Sequence, residues 1–329
     1  MYQPNPERYQ QMRYVRLGKS GVKIAPIALG LWQNFGDDCR YDVCRDTLCA
    51  AFDAGVNHFD LANNYGIPAG AAERTFGRVL KNEFAAHRDE LFISSKAGYT
   101  MWNGPFGDHG SKKYLIASLD QSLQRMGLAY VDLFYHHRPD PETPLEETAE
   151  ALEQIMRQGK ALYIGLSNYT AAQTEAMLAE MNRRGLHCLI HQMRYSLLAR
   201  DAEKGLFQTL KAQGVASIAF SPLAQGLLTS RYLGGVPADS RMNLGHTSLK
   251  SDDLTLERLN QLRALNELAS SRGQTLAQMS LSWALRDGGA DTLIVGARNP
   301  DQLADSLHSL EKPDFTADEL ATIENVLAG

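Results

Sequence analysis

Along the chain, short apolar and β-branched runs recur, each followed by a turn and then by a longer segment with apolar residues three and four positions apart. The short runs fall at residues 27–31, 58–62, 91–96, 131–136, 162–166, 188–192, 217–220 and 292–295, and read as strands. Helical spacing appears at 41–54, 71–82, 112–126, 145–158, 171–183, 205–213 and 276–286, and several of these segments run into a glycine stop, as at Gly127, Gly159 and Gly214. Strands that are apolar almost throughout, alternating with helices, predict a parallel sheet covered on both faces. Eight such units predict an α/β protein of the (β/α)8 TIM-barrel type rather than an open sheet.

Three pieces fall outside the repeat. Residues 14–17 and 22–25 flank Gly18-Lys19-Ser20-Gly21 and predict an N-terminal β-hairpin that plugs the bottom of the barrel. Residues 229–255, rich in Gly, Ser and Asp, predict a functional loop or lid. Segments 256–271 and 317–327 predict two extra helices. With no boundary visible, residues 1–329 read as one barrel domain.

Composition narrows the class. The 329 residues are 44% hydrophobic and carry a net charge of −5, which disfavours nucleic-acid and membrane-surface binding. The first residues lack the apolar core of a secretory signal, and no stretch is long and apolar enough for a membrane span, so a soluble, cytoplasmic protein is expected. Four cysteines without a CxxC pair predict neither a metal site nor a redox dithiol. Gly18-Lys19-Ser20 lacks the earlier glycine of a phosphate-binding loop, since position 13 is Arg. GxGxxG, HExxH and GxSxG motifs are absent.

In a barrel of this kind, polar residues where the strands end are the catalytic candidates. The second strand ends in Phe59-Asp60-Leu61-Ala62, with Tyr65 just beyond; the third ends in Ser94-Ser95-Lys96; the fourth runs into His136-His137-Arg138. Only one of the two histidines can face the site. Asp, Tyr, Lys and His on one rim suit proton delivery to a carbonyl oxygen. A tyrosine is a weak acid at neutral pH, and a lysine ammonium beside it is expected to pull its pKa down. A carboxylate keeps the lysine charged and aimed, and an imidazole polarises the carbonyl.

These residues resemble the aldo-keto reductases. The matching stretches are Phe59-Asp60-Leu61-Ala62-Asn63-Asn64-Tyr65-Gly66, Ser95-Lys96, His137-Arg138-Pro139, Gly165-Leu166-Ser167-Asn168, His191-Gln192 and Phe220-Ser221-Pro222-Leu223-Ala224-Gln225-Gly226. They run in the family's order over nearly the whole chain. Within the family, Asp60–Tyr65, Lys112-Lys113-Tyr114 and Ser240-Arg241-Met242 look most like the bacterial L-glyceraldehyde 3-phosphate reductase branch, which is related to the potassium-channel β subunits.

The resemblance implies a catalytic tetrad of Asp60, Tyr65, Lys96 and His137, with Tyr65 as general acid. It implies NADPH as cofactor: Phe220 stacked on the nicotinamide; Ser167, Asn168 and Gln192 on its carboxamide; Ser221, Leu223, Gln225 and Arg231 along the pyrophosphate; Trp32, Asp60 and Arg241 as further contacts. The adenosine end follows the last strand, where Gly296-Ala297-Arg298-Asn299-Pro300 opens a helix with Asn as N-cap and Pro at its first position. That helix N-terminus with Arg298 suits a 2′-phosphate, with Gln302 also in reach of it and Asp305 and Ser306, one turn on, as candidates for the adenine. Trp32, Tyr65, Trp102 and His137 are the expected substrate contacts, and Tyr99, Trp102 and Phe106 form the expected aromatic wall. Small aldehydes of the L-glyceraldehyde 3-phosphate and methylglyoxal class, and a homo-oligomer of four or more chains, are what the resemblance implies. Two other readings use the same barrel: a channel-β-like protein that senses redox state with weak turnover, and a Schiff-base lyase using Lys96. Channel β subunits carry Asn where this chain has His137, which favours catalysis.

Overall fold

The computed structural model describes residues 2–234 and 254–328. A two-stranded antiparallel hairpin comes first: β1 (Val15–Arg16) and β2 (Lys23–Ile24), with Val15 opposite Ile24. Eight parallel strands then close a barrel: β3 (Ile27–Gly30), β4 (His58–Asp60), β5 (Phe92–Ala97), β6 (Val131–His136), β7 (Ala161–Ser167), β8 (Cys188–Arg194), β9 (Ala216–Phe220) and β10 (Thr292–Val295). Each pairs with its neighbour in sequence, and β10 closes the ring by pairing with both β9 and β3. Around them lie α1 (Tyr41–Asp53), α2 (Ala71–Asn82), α3 (Lys112–Met126), α4 (Leu145–Arg157), α5 (Ala171–Arg183) and α6 (Leu206–Gln213). After the loop come α7 (Leu256–Ser271), α8 (Leu276–Ala284), α9 (Pro300–Leu307) and α10 (Ala317–Ala328).

The predicted barrel is therefore the observed one, with hairpin and extra helices in place. Two ends differ. Strand β4 stops at Asp60 rather than Ala62, although backbone bonds continue from Leu61 N to Ser94 O (2.9 Å) and from Asn63 N to Lys96 O (2.9 Å). Helix α8 stops at Ala284 rather than Arg286. Of the expected lid, residues 229–234 form a short 3-10 turn at Ser230–Tyr232, capped by the Thr229 side chain. Its remainder up to 253, with Arg241, lies outside the described residues.

Period-two alternation divides each strand between two cores. One set points outward against the helices: Leu29, Phe59, Ile93, Phe134 and Met193. The other fills the barrel: Ala28, Leu133, Tyr135, Ile190, Ile218 and Ile294, joined by Leu17 and Ile24 of the hairpin. The hairpin thus seals the end opposite the strand C-termini. Its turn needs Gly18, which has φ +52°, and an added Cβ would stand 2.1 Å from Gly214 O, on the turn that enters β9.

Candidate active site

The same alternation carries chemistry to the open end. On β4 the inward residues are His58 and Asp60, on β5 Ser94 and Lys96, and on β6 Leu133, Tyr135 and then His137. Asp60 is the hub. Its Oδ2 accepts from Lys96 Nζ at 2.6 Å, and its Oδ1 accepts from Ser94 Oγ at 2.8 Å and from Gln192 Nε2 at 3.2 Å. Lys96 Nζ also donates to Leu61 O at 2.7 Å, and both members of the pair are buried. A buried charge is tolerable only when paired and hydrogen-bonded, and this one is both. Below Asp60, the ring nitrogen Nε2 of His58 lies 2.9 Å from Ser94 Oγ; burial holds that imidazole down at about 4, so it is neutral. Since Ser94 gives its proton to Asp60, His58 Nε2 is the donor of that contact.

Tyr65 is the tetrad member that does not sit on a strand or directly after one. It stands in the turn between β4 and α2, with its N–H donating to Ala62 O at 3.1 Å and its carbonyl accepting from Gly70 N (3.1 Å) and Ala72 N (3.2 Å). Gly66, at φ +82°, makes this turn possible: a Cβ there would stand 2.6 Å from Ala72 N. The Tyr65 ring lies between Trp32 and His137, with Lys96 Nζ 4.8 Å from its centroid.

Of the paired histidines, His137 faces the cavity. Its N–H continues the ladder to Ala97 O at 2.9 Å, and its ring meets Tyr99 edge-on at 4.6 Å. His136 points the other way, with Nδ1 2.6 Å from Tyr169 Oη. Burial, reinforced by Lys96, His136 and Arg138, holds His137 well below the ordinary imidazole value, so it is neutral at physiological pH. For Tyr65 the direction is opposite to the sequence expectation. Burial and then the charge of Asp60 hold its phenol well above the ordinary value, because the Lys96 ammonium is spent on Asp60 and Leu61 O. Burial likewise lowers Lys96, against the upward pull of Asp60.

A cavity of about 540 Å³ opens over this floor. Trp32, Asp60, Tyr65, His137, Asn168, Gln192, Phe220, Ser221, Leu223, Gln225, Arg231, Gly296, Arg298 and Gln302 all line it, so most of the sequence-predicted site converges on one space. Asn168 ties two walls together: its Nδ2 donates to His137 O (2.9 Å) and Ser167 Oγ (3.1 Å), and its N–H to Gln192 O (3.0 Å). Beyond β9, Ser221, Ala224 and Gln225 hold φ between +46° and +58°, values that side chains seldom adopt and that cluster at ligand-binding loops. At α9, Asn299 caps Gln302 N at 2.9 Å, and Gln302 Oε1 accepts from Arg298 N at 2.9 Å.

Some expected contacts are not brought to the cavity. Ser167 is buried behind Asn168. Trp102 packs against Tyr114 at 5.2 Å, and Phe106 lies exposed under Lys113, so Tyr99 is the part of the aromatic wall that arrives. Asp305 accepts from Gln278 Nε2 at 2.7 Å, and Ser306 Oγ is turned back onto Gln302 O at 3.0 Å. Both lie on a face of α9 that packs against the protein. Conversely, Gln33, Asn34, Asn64, Arg194 and Thr229 line the cavity without having been singled out. Arg194 was findable: it lies two residues beyond Gln192, on the same face of the strand.

The lining fits a nicotinamide dinucleotide. Its described residues include three arginines against one carboxylate, and Lys96 already neutralises that carboxylate. Phe220 offers an aromatic face, and Arg298 stands at the N-terminus of α9, where the helix dipole favours an anion.

A barrel of eight parallel strands with Asp, Tyr, Lys and His gathered over its C-terminal mouth is the architecture of a carbonyl-reducing enzyme, and the Aldo/keto reductase family model matches residues 26–328. The chain belongs to that family: it is an oxidoreductase, an aldehyde reductase that works with a nicotinamide cofactor. It is 52% identical over 328 residues to L-glyceraldehyde 3-phosphate reductase of Escherichia coli O157:H7, covering 98% of this chain and 95% of the relative. The corresponding protein of Escherichia coli K12 is 51% identical over the same length. A putative voltage-gated potassium channel subunit beta of Schizosaccharomyces pombe is 34% identical over 320 residues, 94% of this chain and 92% of that one.

Proposed function

We propose that this protein reduces small aldehydes to alcohols with NADPH, taking L-glyceraldehyde 3-phosphate or methylglyoxal and using Tyr65 as the acid. The observation that carries the reading is the floor of the cavity: Tyr65 and His137 face the same space, over an Asp60–Lys96 pair bonded at 2.6 Å. The bound cofactor supplies the hydride. Tyr65 gives its phenolic proton to the carbonyl oxygen as that oxygen gains charge. The neutral His137 donates a hydrogen bond to the same atom and orients it. Lys96 stands by the phenol ring, where its ammonium offsets the charge of Asp60 and so limits that carboxylate's repulsion of the phenolate left behind. Asn168 and Gln192 would hold the carboxamide, Phe220 would stack on the ring, and Arg298 with the start of α9 would receive the 2′-phosphate that separates NADPH from NADH. Lys96 is enclosed beneath the cavity, with its amine engaged twice, which disfavours Schiff-base chemistry. The relatives' name, L-glyceraldehyde 3-phosphate reductase, supports the substrate class. The reading extends to a cytoplasmic homo-oligomer of four or more chains, in keeping with the family resemblance. Absorbance of NADPH falling on addition of either aldehyde, and much less with NADH, is the expected result. No turnover of either aldehyde with either cofactor would overturn the proposal.

A further inference from the structure

We propose that Arg194 binds the phosphate of the substrate, making this a reductase for phosphorylated short-chain aldehydes in preference to neutral ones; the inference rests on the reductase reading above. Arg194 is the last residue of β8 and shares the inward face of that strand with Ile190 and Gln192. Two residues along a strand is about 6.6 Å. Arg194 therefore stands one step above Gln192, whose amide touches Asp60 at 3.2 Å, and it lines the same cavity.

The places of the lining arginines point the same way. The described lining holds Arg194, Arg231 and Arg298, and its one carboxylate, Asp60, is paired with Lys96. NADPH brings two anionic groups to the cavity, a pyrophosphate and a 2′-phosphate. Arg231, following the 221–226 loop, and Arg298, opening α9, lie on the loop-and-helix route assigned to them. Arg194 belongs instead to the strand that carries Gln192, beside Asp60, away from that route. A phosphorylated aldehyde brings a third anion, with its phosphate a short carbon chain away from the carbonyl.

The guanidinium is also available. Arg138 is bonded to Asp108 and Gly98 O, Arg200 to Glu203 and Glu324, and Arg286 to Glu203 and Tyr195. Arg194 is exposed and makes no hydrogen bond or ion pair with a described residue. The acid that feels its charge, Asp201, is already bonded to Lys204 at 2.9 Å. A planar guanidinium offers paired donors that match phosphate oxygens.

The test compares wild type, Arg194→Ala and Arg194→Lys on L-glyceraldehyde 3-phosphate and on glyceraldehyde, with NADPH affinity measured by fluorescence titration. Wild type should prefer the phosphorylated aldehyde. Arg194→Ala should raise KM for it by about ten- to hundredfold while kcat/KM for glyceraldehyde stays within about twofold and NADPH binding is unchanged. Arg194→Lys should fall between. Inorganic phosphate should inhibit glyceraldehyde reduction by wild type competitively and Arg194→Ala at least about tenfold more weakly. Equal losses on both aldehydes, or no loss on either, would overturn the assignment and leave the reductase standing. A loss of NADPH affinity in Arg194→Ala would give the residue to the cofactor and overturn it too. Wild type reducing neither aldehyde would sink the reductase reading and this one with it.

Discussion

Gln192 donates its side-chain amide to Asp60 across the barrel at 3.2 Å, linking β8 to β4 over 132 positions of sequence. A residue placed by resemblance on the cofactor's carboxamide is thus also a structural neighbour of the tetrad carboxylate. On the proposed role of Gln192, cofactor seating and the buried charge share one side chain, and disturbing either disturbs the other.

Tyr65→Phe removes the proton donor and leaves the ring. Reduction should fall by at least about a hundredfold, the loss seen when one stabilising donor is removed from a charged transition state. NADPH affinity should change little, because the hydroxyl acts on the reacting oxygen. Steady-state rates and a binding titration on the same preparation decide it, and a mutant that keeps a tenth or more of the activity would remove Tyr65 from the role.

Lys96→Met strands a buried carboxylate. Asp60 keeps Ser94 and Gln192 as donors but loses its counter-charge, which should cost about 3–5 kcal/mol of stability and push the Tyr65 phenol further up. Activity should be lost. Adding Asp60→Asn should restore much of the stability in denaturant unfolding while activity stays absent. Recovery of activity in the double variant would show that the pair is only a packing feature.

The pH profile follows from two directions. Tyr65 is held well above its ordinary value, so it stays protonated, the form reduction needs, as pH rises. His137 is held well below its ordinary value, so it stays neutral as pH falls. For a neutral aldehyde, kcat/KM for reduction should be flat from about pH 6 to about pH 9, between the ordinary ranges of imidazole and phenol. The reverse oxidation needs the phenolate and should rise with pH across that span. A basic limb in the reduction profile near pH 8 would mean that Lys96 does draw the phenol down.

Arg298→Ala tests cofactor choice. Charge-assisted bonds to a 2′-phosphate are worth about 1.5–3 kcal/mol, so NADPH binding should weaken by about ten- to hundredfold. NADH binding should hardly move. Fluorescence titration of both cofactors gives the answer, and equal losses would place Arg298 on the part that the two share.

The eight strands were legible because a parallel strand buried on both faces is apolar along its whole length, and the gathering of Asp60, Lys96 and His137 because these residues end such strands or directly follow one. Other features depend on geometry that spacing does not encode. His136 and His137 are equivalent in sequence, and only the inward register of Leu133 and Tyr135 picks out His137. Asp305 and Ser306 have the right spacing from Arg298, yet the packing of α9 turns one toward Gln278 and the other onto its own helix. The direction of the Tyr65 shift was hidden too. It turns on whether Lys96 spends its charge on the phenol or on Asp60, a matter of ångströms.

Asp60 and Lys96 sit on adjacent strands and His137 directly follows a third, all inside the hydrogen-bonded ring, whereas Tyr65 hangs from a turn pinned by Gly70, Ala72 and Ala62. The electrostatic foundation and the proposed proton donor are therefore mounted separately. Variation at the exposed residues 67–69 can re-aim Tyr65 at carbonyls of different shape without reopening the barrel's interior, which makes that stretch of the turn the place where new substrate range can be acquired at little risk to folding.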